Sequence, residues 1–372
     1  MKKILFLTPH VPSDMAGGAK FTKSLLRELG KHYSVDLIYF RYSNDVYFES
    51  TEGVTTLRIV RNNSILKILR CLFCIIYHPI FSVRYSMSLI DYLKKIDLSS
   101  YEVVFLDHSQ MFVFARFFKN IKEIVMMSHD VMKDRFRNNF ILERKWVVWS
   151  ERRLMSQKNI SQIFTFSNRD VQTIKKTYDI TSVSATSFFI EDAIIMQPLE
   201  KIESHYVFFG NWSRKDNWSG LEWFYDAVYP IVGEEIKVKI IGGGLSEVLK
   251  EKINRIDPTA EILGFVENPY SIISSANAVL APVFSGAGVK VKVIESLACG
   301  IPVIGTEIAF EGIEIENSDF LIRVKSASDF KKALLQNKPS LNERNVFKSE
   351  FINEYQSQNA IMKYLNDLFI YD

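Results

Sequence analysis

The sequence predicts an α/β protein of two doubly wound, Rossmann-like domains in tandem, facing across a cleft. Three observations predict it. Short apolar runs alternate with helix-spaced runs through most of the chain, the pattern of parallel strands joined by crossover helices. The length, 372 residues, fits two domains at ~100–200 residues each. The periodicity lapses over Ser182–Leu199, which contains Pro198, and then the alternation begins again.

Lys3–Leu7 is the first buried-strand candidate, closed by Thr8-Pro9. Gly17-Gly18 precede Ala19–Leu29, where Phe21, Leu25, Leu26 and Leu29 have helical spacing and Gly30 reads as the stop. Ser34–Phe40, Val103–Leu106, Glu123–Met127 and Ile163–Phe166 read as further strands. Phe140–Met155 and Asn168–Thr177 read as helices. The second series runs Val207–Phe209, a helix over Leu221–Ile231, then Val238–Ile241 ending in Gly242-Gly243-Gly244. It continues with Ile262–Phe265, Pro269–Ala276, Ala278–Ala281, a helix over Val289–Cys299 and a strand over Pro302–Gly305. The last segment, 347–369, has helical spacing. These readings give a first domain over 1–188 and a second over 189–346. The C-terminal helix of 347–372 is expected to pack back on the first.

Composition excludes several classes. Apolar residues are 47% and charged residues 24%, a globular balance. Lys+Arg 46 against Asp+Glu 43 leaves +3, too little for a nucleic-acid binder by bulk charge. Cys71, Cys74 and Cys299 fit neither a disulfide framework nor a zinc site and read as packing. The N-terminal apolar stretch is too short for a signal peptide, and Lys67, Arg70, His78 and Pro79 interrupt the segment Ile65–Ile80 before it reaches spanning length. A cytoplasmic chain is expected.

In doubly wound sheets ligands sit beyond the carboxyl ends of the strands. The strongest signal there begins at Pro282: a loop containing Gly286, Ala287 and Gly288 leads into a helix opening near Val289. Lys290 and Lys292 lie in its first turn and Glu295 a turn further on. Glycines and amides at a helix start form an anion site, and cations there oppose the helix dipole unless an anion offsets them. A carboxylate one turn on suits ribose hydroxyls. The alternative is a plain strand–turn–helix with lysines in solvent. His129, after the apolar run ending at Met127, and His108, after Asp107, also stand at strand ends; a lone histidine there is equally a structural one.

The stretch resembles the donor-binding motif of family 4 glycosyltransferases, retaining enzymes of the GT-B fold. It is most similar to the branch reading Gly-x-Gly-x-[Arg/Lys]-x-Lys-x-x-Glu-[Ala/Ser]-x-Ala-x-Gly-x-Pro-Val. Pro9, Gly17 and Gly18 resemble the family's opening loop, and Val207–Asn217 the opening of its second domain. Gly242–Gly244, Gly264–Val266 and Glu311-Gly312 follow at family intervals. The resemblance implies a hexosyltransferase-like enzyme. It would move a sugar from a nucleoside-diphosphate sugar to a glycan or lipid-linked acceptor, with retention, in capsule, O-antigen or exopolysaccharide synthesis. It implies that Lys292 and Lys290 bind the diphosphate, Glu295 the ribose, and the amides of Gly286–Val289 the sugar or phosphate. Gly17 and Gly18 would let the backbone approach the donor, and His129 would lie near the transferred sugar. Of Arg214 and Lys215, either could reach the phosphates, or both could belong to an exposed turn.

One departure is Ala287, where the family usually carries the first of two glutamates. It leaves open a non-catalytic sugar-nucleotide-binding subunit; a sugar-nucleotide epimerase of the same fold is a further alternative. No Asp-x-Asp pair stands out, so no metal and no other cofactor is expected. From Gly53 to Ile90 there is no Asp or Glu, and Arg58, Arg61, Lys67, Arg70 and Arg84 sit among aromatic and aliphatic residues. That suits contact with an anionic membrane surface, peripheral on the inner face of the cytoplasmic membrane. The alternative is a buried helix pair with snorkelling basic ends.

Overall fold

The computed structural model describes residues 2–370 apart from 15, 16, 50, 287 and 316. The chain divides into two compact units, Met1–Phe189 with Gln358–Asp372, and Ile190–Ser357. The first unit holds β1 (Lys3–Thr8), β2 (Ser34–Tyr42), β3 (Val54–Asn62), β4 (Val103–Asp107), β5 (Glu123–Met127), β6 (Gln162–Thr165) and β7 (Val183–Ala185). They form one sheet in the order β3-β2-β1-β4-β5-β6-β7, with every pair parallel. Ile4 to Thr8 are all buried, as expected of a strand covered on both faces. The edge strand β3 was not legible as a strand: it has one neighbour, β2, and carries exposed Thr55, Thr56 and Arg61.

Its principal helices are α1 (Gly17–His32), α2 (Ser64–Phe73), α3 (Ile141–Met155) and α4 (Asn168–Tyr178). The α1 helix buries Phe21, Leu25, Leu26 and Leu29. It runs through Gly30, which is therefore not its stop. A Cβ at Gly30 would lie 2.0 Å from the Glu52 carbonyl oxygen, so the glycine is needed for backbone approach. The Ser167 hydroxyl caps α4 by accepting from the Asp170 amide.

The second unit holds β8 (His205–Phe209), β9 (Lys237–Ile241), β10 (Glu261–Gly264), β11 (Ala278–Ala281), β12 (Val303–Gly305) and β13 (Leu321–Arg323). Their order is β10-β9-β8-β11-β12-β13, again all parallel. With them are α5 (Lys215–Trp223), α6 (Val291–Ala298) and α7 (Leu341–Ser357). The helix expected over Leu221–Ile231 starts six residues earlier, at Lys215, and passes through a wide turn at Phe224–Val228. Pro230 accounts for the turn, because its ring would clash with the carbonyl four residues back. The helix expected from Val289 opens at Val291, with Lys290 as its cap residue. Lys292, not Lys290, stands in its first turn.

The last segment is two helices, not one. Asn359 interrupts it: its side chain accepts from the Met362 amide and starts α8 (Ala360–Ile370). The α7 helix belongs to the second unit, so residues 347–357 stay there and only 358–372 joins the first. Within the first unit Tyr364 donates to Glu123 at 2.9 Å and Tyr33 to Asn366 at 2.6 Å.

In the second unit Arg344 on α7 is fully buried and donates to the carbonyls of Ala276, Asn277 and Pro339. Substitution by methionine strands those carbonyls. Arg344→Met should cost about 2–4 kcal/mol, at 1–3 kcal/mol per unsatisfied buried group less the retained packing, read as a lower urea midpoint for this unit.

Candidate functional site

Each sheet reverses its strand order at its centre, between β1 and β4 in the first unit and between β8 and β11 in the second. That reversal opens a crevice beyond the carboxyl ends of those strands. The candidate residues stand at these two places.

In the second unit β8 ends at Phe209, and Gly210 leads into α5. Buried Trp212 pins this turn: its indole donates to the Ile241 carbonyl at 3.1 Å, and its amide to the Gly243 carbonyl at 2.9 Å. The Asn217 amide group then donates to the Asn211 carbonyl at 2.7 Å, and its Oδ1 accepts from Lys292 Nζ at 2.9 Å. Asp216 accepts from the Ser285 hydroxyl at 2.7 Å and faces Arg214 at 3.4 Å. The loop after β8 is thereby tied to the loop after β11 and to α6. Gly286 has φ 106° and Gly288 φ 74°, a left-handed backbone that only glycine adopts without strain. Ala287 lies outside the described residues. Lys290 Nζ donates to the Gly288 carbonyl at 2.6 Å and stands 3.9 Å from Glu311.

Lys292, Lys290 and Arg214 converge here. Burial, then repulsion from Lys290 and Arg214, pulls the Lys292 ammonium down to about 8, against the attraction of Asp216. Lys215 is exposed at the first position of α5 and is not among the charges acting on Lys292. Of the basic pair, the structure brings Arg214 to the cluster and leaves Lys215 outside. Val289 stands between Gly288 and the cap residue Lys290, and Glu295 is buried on α6. The Tyr270 hydroxyl lies 3.2 Å from Glu295 and 3.1 Å from Glu191, bridging the two carboxylates. Burial and both carboxylates raise the Tyr270 pKa, so the phenol keeps its proton.

Tyr270, Asp216 and Ser285 escaped the sequence reading as site residues, and Glu311 was noted there only for its interval with Gly312. Asp216, two residues from Arg214, and Ser285, next to Gly286, had local signals; Tyr270 and Glu311 come from separate elements.

The first unit's site is built on Asp107, the last residue of β4 and fully buried. Its Oδ2 accepts from the hydroxyls of Thr8 at 2.9 Å and Thr22 at 2.7 Å. Its Oδ1 meets His129 Nε2 at 2.7 Å. A neutral His129 ring then carries its proton on Nε2 and leaves Nδ1 as an acceptor. The rings of His108 and His129 stack 3.3 Å apart, and His10 lies edge-on to His108 at 4.5 Å. His108 has φ 64°, a conformation uncommon for a non-glycine residue. Gly18, in the first turn of α1 beside Gly17, faces this pair: a Cβ there would lie 2.9 Å from His108 and 3.3 Å from His129 Nδ1. Of the two histidines singled out from the sequence, both are in the cluster, together with His10, which was not.

Asp107, His108 and His129 offer three ligand atoms within 4.8 Å of one another, a donor set that could hold a metal ion. Both Asp107 oxygens already accept from Thr8, Thr22 and His129, so a cation would have to displace those donors.

Burial pulls the His10 imidazole down to about 4, against the attraction of Asp107, and pushes His108 well below its ordinary value. Between pH 6.5 and about 4 the unfolded chain therefore binds more protons than the folded one, and stability falls as pH falls through that window. His10→Gln should flatten this dependence. The fall in melting temperature from pH 7 to pH 4.5 should be smaller in the variant than in the wild type, the remainder coming from His108 and His129.

Residues 203–337, inside the second unit, match the family described as Glycosyl transferases group 1. Among curated proteins, an uncharacterized 44.6 kDa protein in the cps region of Klebsiella pneumoniae is 29% identical over 157 residues. That alignment takes in 38% of this chain, and the chain spans about two-fifths (40%) of that relative's length. Among solved structures, sucrose-phosphate synthase from Thermosynechococcus elongatus superposes with a TM-score of 0.70 at 12% identity, covering 100% of both chains. The HepE protein of Anabaena in complex with UDP superposes with a TM-score of 0.66 at 12% identity, covering 99% of this chain and 100% of that one. The protein thus has the two Rossmann-like units of the GT-B fold, and over residues 203–337 it matches the group 1 glycosyltransferase model.

Proposed function

We propose that the protein is a retaining glycosyltransferase of family 4. It takes a sugar from a nucleoside-diphosphate sugar and passes it to a glycan or lipid-linked acceptor in the synthesis of a surface polysaccharide. The observation that carries this reading is the convergence of Lys292, Lys290 and Arg214 on one glycine loop and helix start, where they repel one another. A diphosphate would relieve that repulsion and receive the helix dipole. The UDP bound by the HepE protein and the cps-region relative support the donor class and the pathway.

In this reading Lys292 and Lys290, with Arg214 rather than Lys215, stabilise the charge that develops on the departing diphosphate. They are held in place before the reaction, so little reorganisation opposes them. The amides of Gly286 and its neighbours add dipoles. Glu295, oriented by the Tyr270 hydroxyl, receives the ribose hydroxyls. In the first unit Asp107 fixes the His129 ring, which presents Nδ1 toward the transferred sugar, and Gly17 and Gly18 keep that side free of bulk. No protein base is assigned; leaving-group oxygens take the acceptor proton. Transfer proceeds without a metal or other cofactor. The protein works in the cytoplasm, peripheral to the membrane's inner face, with contact through part of 53–90. No helix among the described residues is long and apolar enough to cross a membrane.

Screening nucleoside-diphosphate sugars for a rise in melting temperature identifies the donor, since ligand binding to the folded state stabilises it. With that donor, Lys292→Ala should lower turnover at least ~100-fold in a protein that melts normally. Near-normal turnover would remove Lys292 from the mechanism, and epimerisation or binding without transfer would replace the reading itself. UDP affinity should fall as pH rises above about 8, where free Lys292 loses its proton, by up to ~10-fold per pH unit. Lys292→Met should abolish that dependence. Turnover should survive EDTA; loss restored by a divalent ion would bring the Asp107–His108–His129 set into the mechanism.

A further inference from the structure

We infer that the first unit carries a lipid-docking face, formed by the outward stripe of α2 and the N-terminal end of α3, whose occupant is the headgroup region of an anionic bilayer. The inference rests on the membrane-contact part of the reading above and deepens it, naming the residues that would enter the interface.

The α2 helix is turned inside out. Ile65, Ile68, Leu69, Leu72 and Phe73 recur at the spacing of one helix face, and all five are exposed, Ile65 by 70% and Phe73 by 67%. The buried residue of this helix is Arg70. Its guanidinium donates to Asn62 Oδ1 and to the Arg61 carbonyl, both at 2.8 Å, and lies over the Phe40 ring. Asn63 caps the helix start. Polar anchors thus hold the helix by its basic face and leave the apolar stripe in water. Amphipathic helices of globular proteins do the reverse. Together with Ile75 and Ile76, this is the densest run of exposed large hydrophobic side chains among the described residues.

A second apolar run joins it. Phe140, Ile141 and Leu142, at the start of α3, are exposed by 87%, 60% and 77%. One turn on, the Trp146 indole donates to the Ile76 carbonyl at 3.2 Å, and Trp149 packs against Tyr77. Both tryptophans stay partly exposed, the disposition of side chains that anchor at a membrane interface.

The charge around the face selects the occupant. Arg61, Arg144, Lys145, Arg152 and Arg153 are exposed. Residues 53–90 contain no carboxylate. On α3, Glu151 is buried and Glu143 stands 3.5 Å from His78. Exposed basic side chains on the strand end before α2 and along α3, with Arg153 over the Trp149 ring, accompany the apolar, tryptophan-bearing stripe and complement anionic headgroups over acyl chains. Arg70 and Arg84, counted in the sequence as part of a basic surface, are not among those exposed residues. Both are buried, and Arg84 donates to the Pro9 carbonyl at 2.9 Å.

The test is flotation of the full chain with phosphatidylcholine vesicles, with and without phosphatidylglycerol, at low and high salt. The wild type should float with the anionic vesicles at low salt and release at high salt. Brominated acyl chains should quench its tryptophan fluorescence. Ile68→Gln/Leu72→Gln and, separately, Ile141→Gln/Leu142→Gln should each weaken partitioning at least ~10-fold. All four residues are exposed, so melting temperature and UDP binding should not move; either pair suffices if the other fails to fold. A wild type that does not float overturns the inference and the membrane contact together. Flotation lost in Arg58→Gln/Arg61→Gln but kept in both apolar pairs overturns the inference alone and leaves an electrostatic contact through 53–63. Sedimentation as a dimer that the Ile68→Gln/Leu72→Gln pair converts to monomer, with no flotation, would assign the face to a second copy of the chain.

Discussion

Every strand in both sheets runs parallel to its neighbours, so each must be followed by a crossover before the next can pair. Such a sheet is covered on both faces and is built outward from its centre in two directions. The centre is where the direction of building reverses, and there the loops after two adjacent strands diverge to opposite faces. The chemistry of both units follows from that constraint. Asp107 closes β4 beside β1, with Thr8 at the end of β1 donating to it. Gly210 follows β8, and Pro282 follows β11 beside it. The candidate groups come together because their strands are neighbours, although they are far apart in the chain.

The two sites differ in electrostatic character. The first is a buried carboxylate ringed by two threonine hydroxyls and an imidazole, with three histidines held below their ordinary pKa by loss of water. The carboxylate is satisfied internally, while Nε2 of His10 and Nε2 of His108 are buried without a hydrogen-bond partner among the described residues. The second is a group of cations that repel one another, partly countered by Asp216 and Glu311. Their proximity is maintained by hydrogen bonds to uncharged partners, from Lys292 to Asn217 and from Asn217 to the Asn211 carbonyl. A fully satisfied carboxylate fixes a ring; a site under internal repulsion is arranged for an anion. The proposed division of labour between sugar and diphosphate follows this contrast.

The α2 helix shows the same physics at the surface. A guanidinium with carbonyl and amide partners can be buried, and once Arg70 is inside, the helix has no freedom to turn its apolar stripe inward. Exposure of that stripe is the consequence of satisfying one charge. It gives the first unit a face unlike the rest of its surface.

The sequence by itself determined the class of fold, because strands buried on both faces write themselves as unbroken apolar runs, as in Ile4–Leu7 and Val103–Leu106. It also determined the glycine loop with Lys290, Lys292 and Glu295, which are close in sequence and carry their own helix-start signal. It was silent on β3, whose exposed side chains obey no burial pattern, and it read 347–369 as one helix because the apolar spacing continues on both sides of Asn359. Only the tertiary structure decided that Arg214 and not Lys215 meets Lys292, that Tyr270 bridges Glu191 and Glu295, and that Asp107 holds His129. Each of these joins residues on different elements, at separations set by strand order. The sequence records spacing along one element, and the direction each element faces is settled by what it packs against.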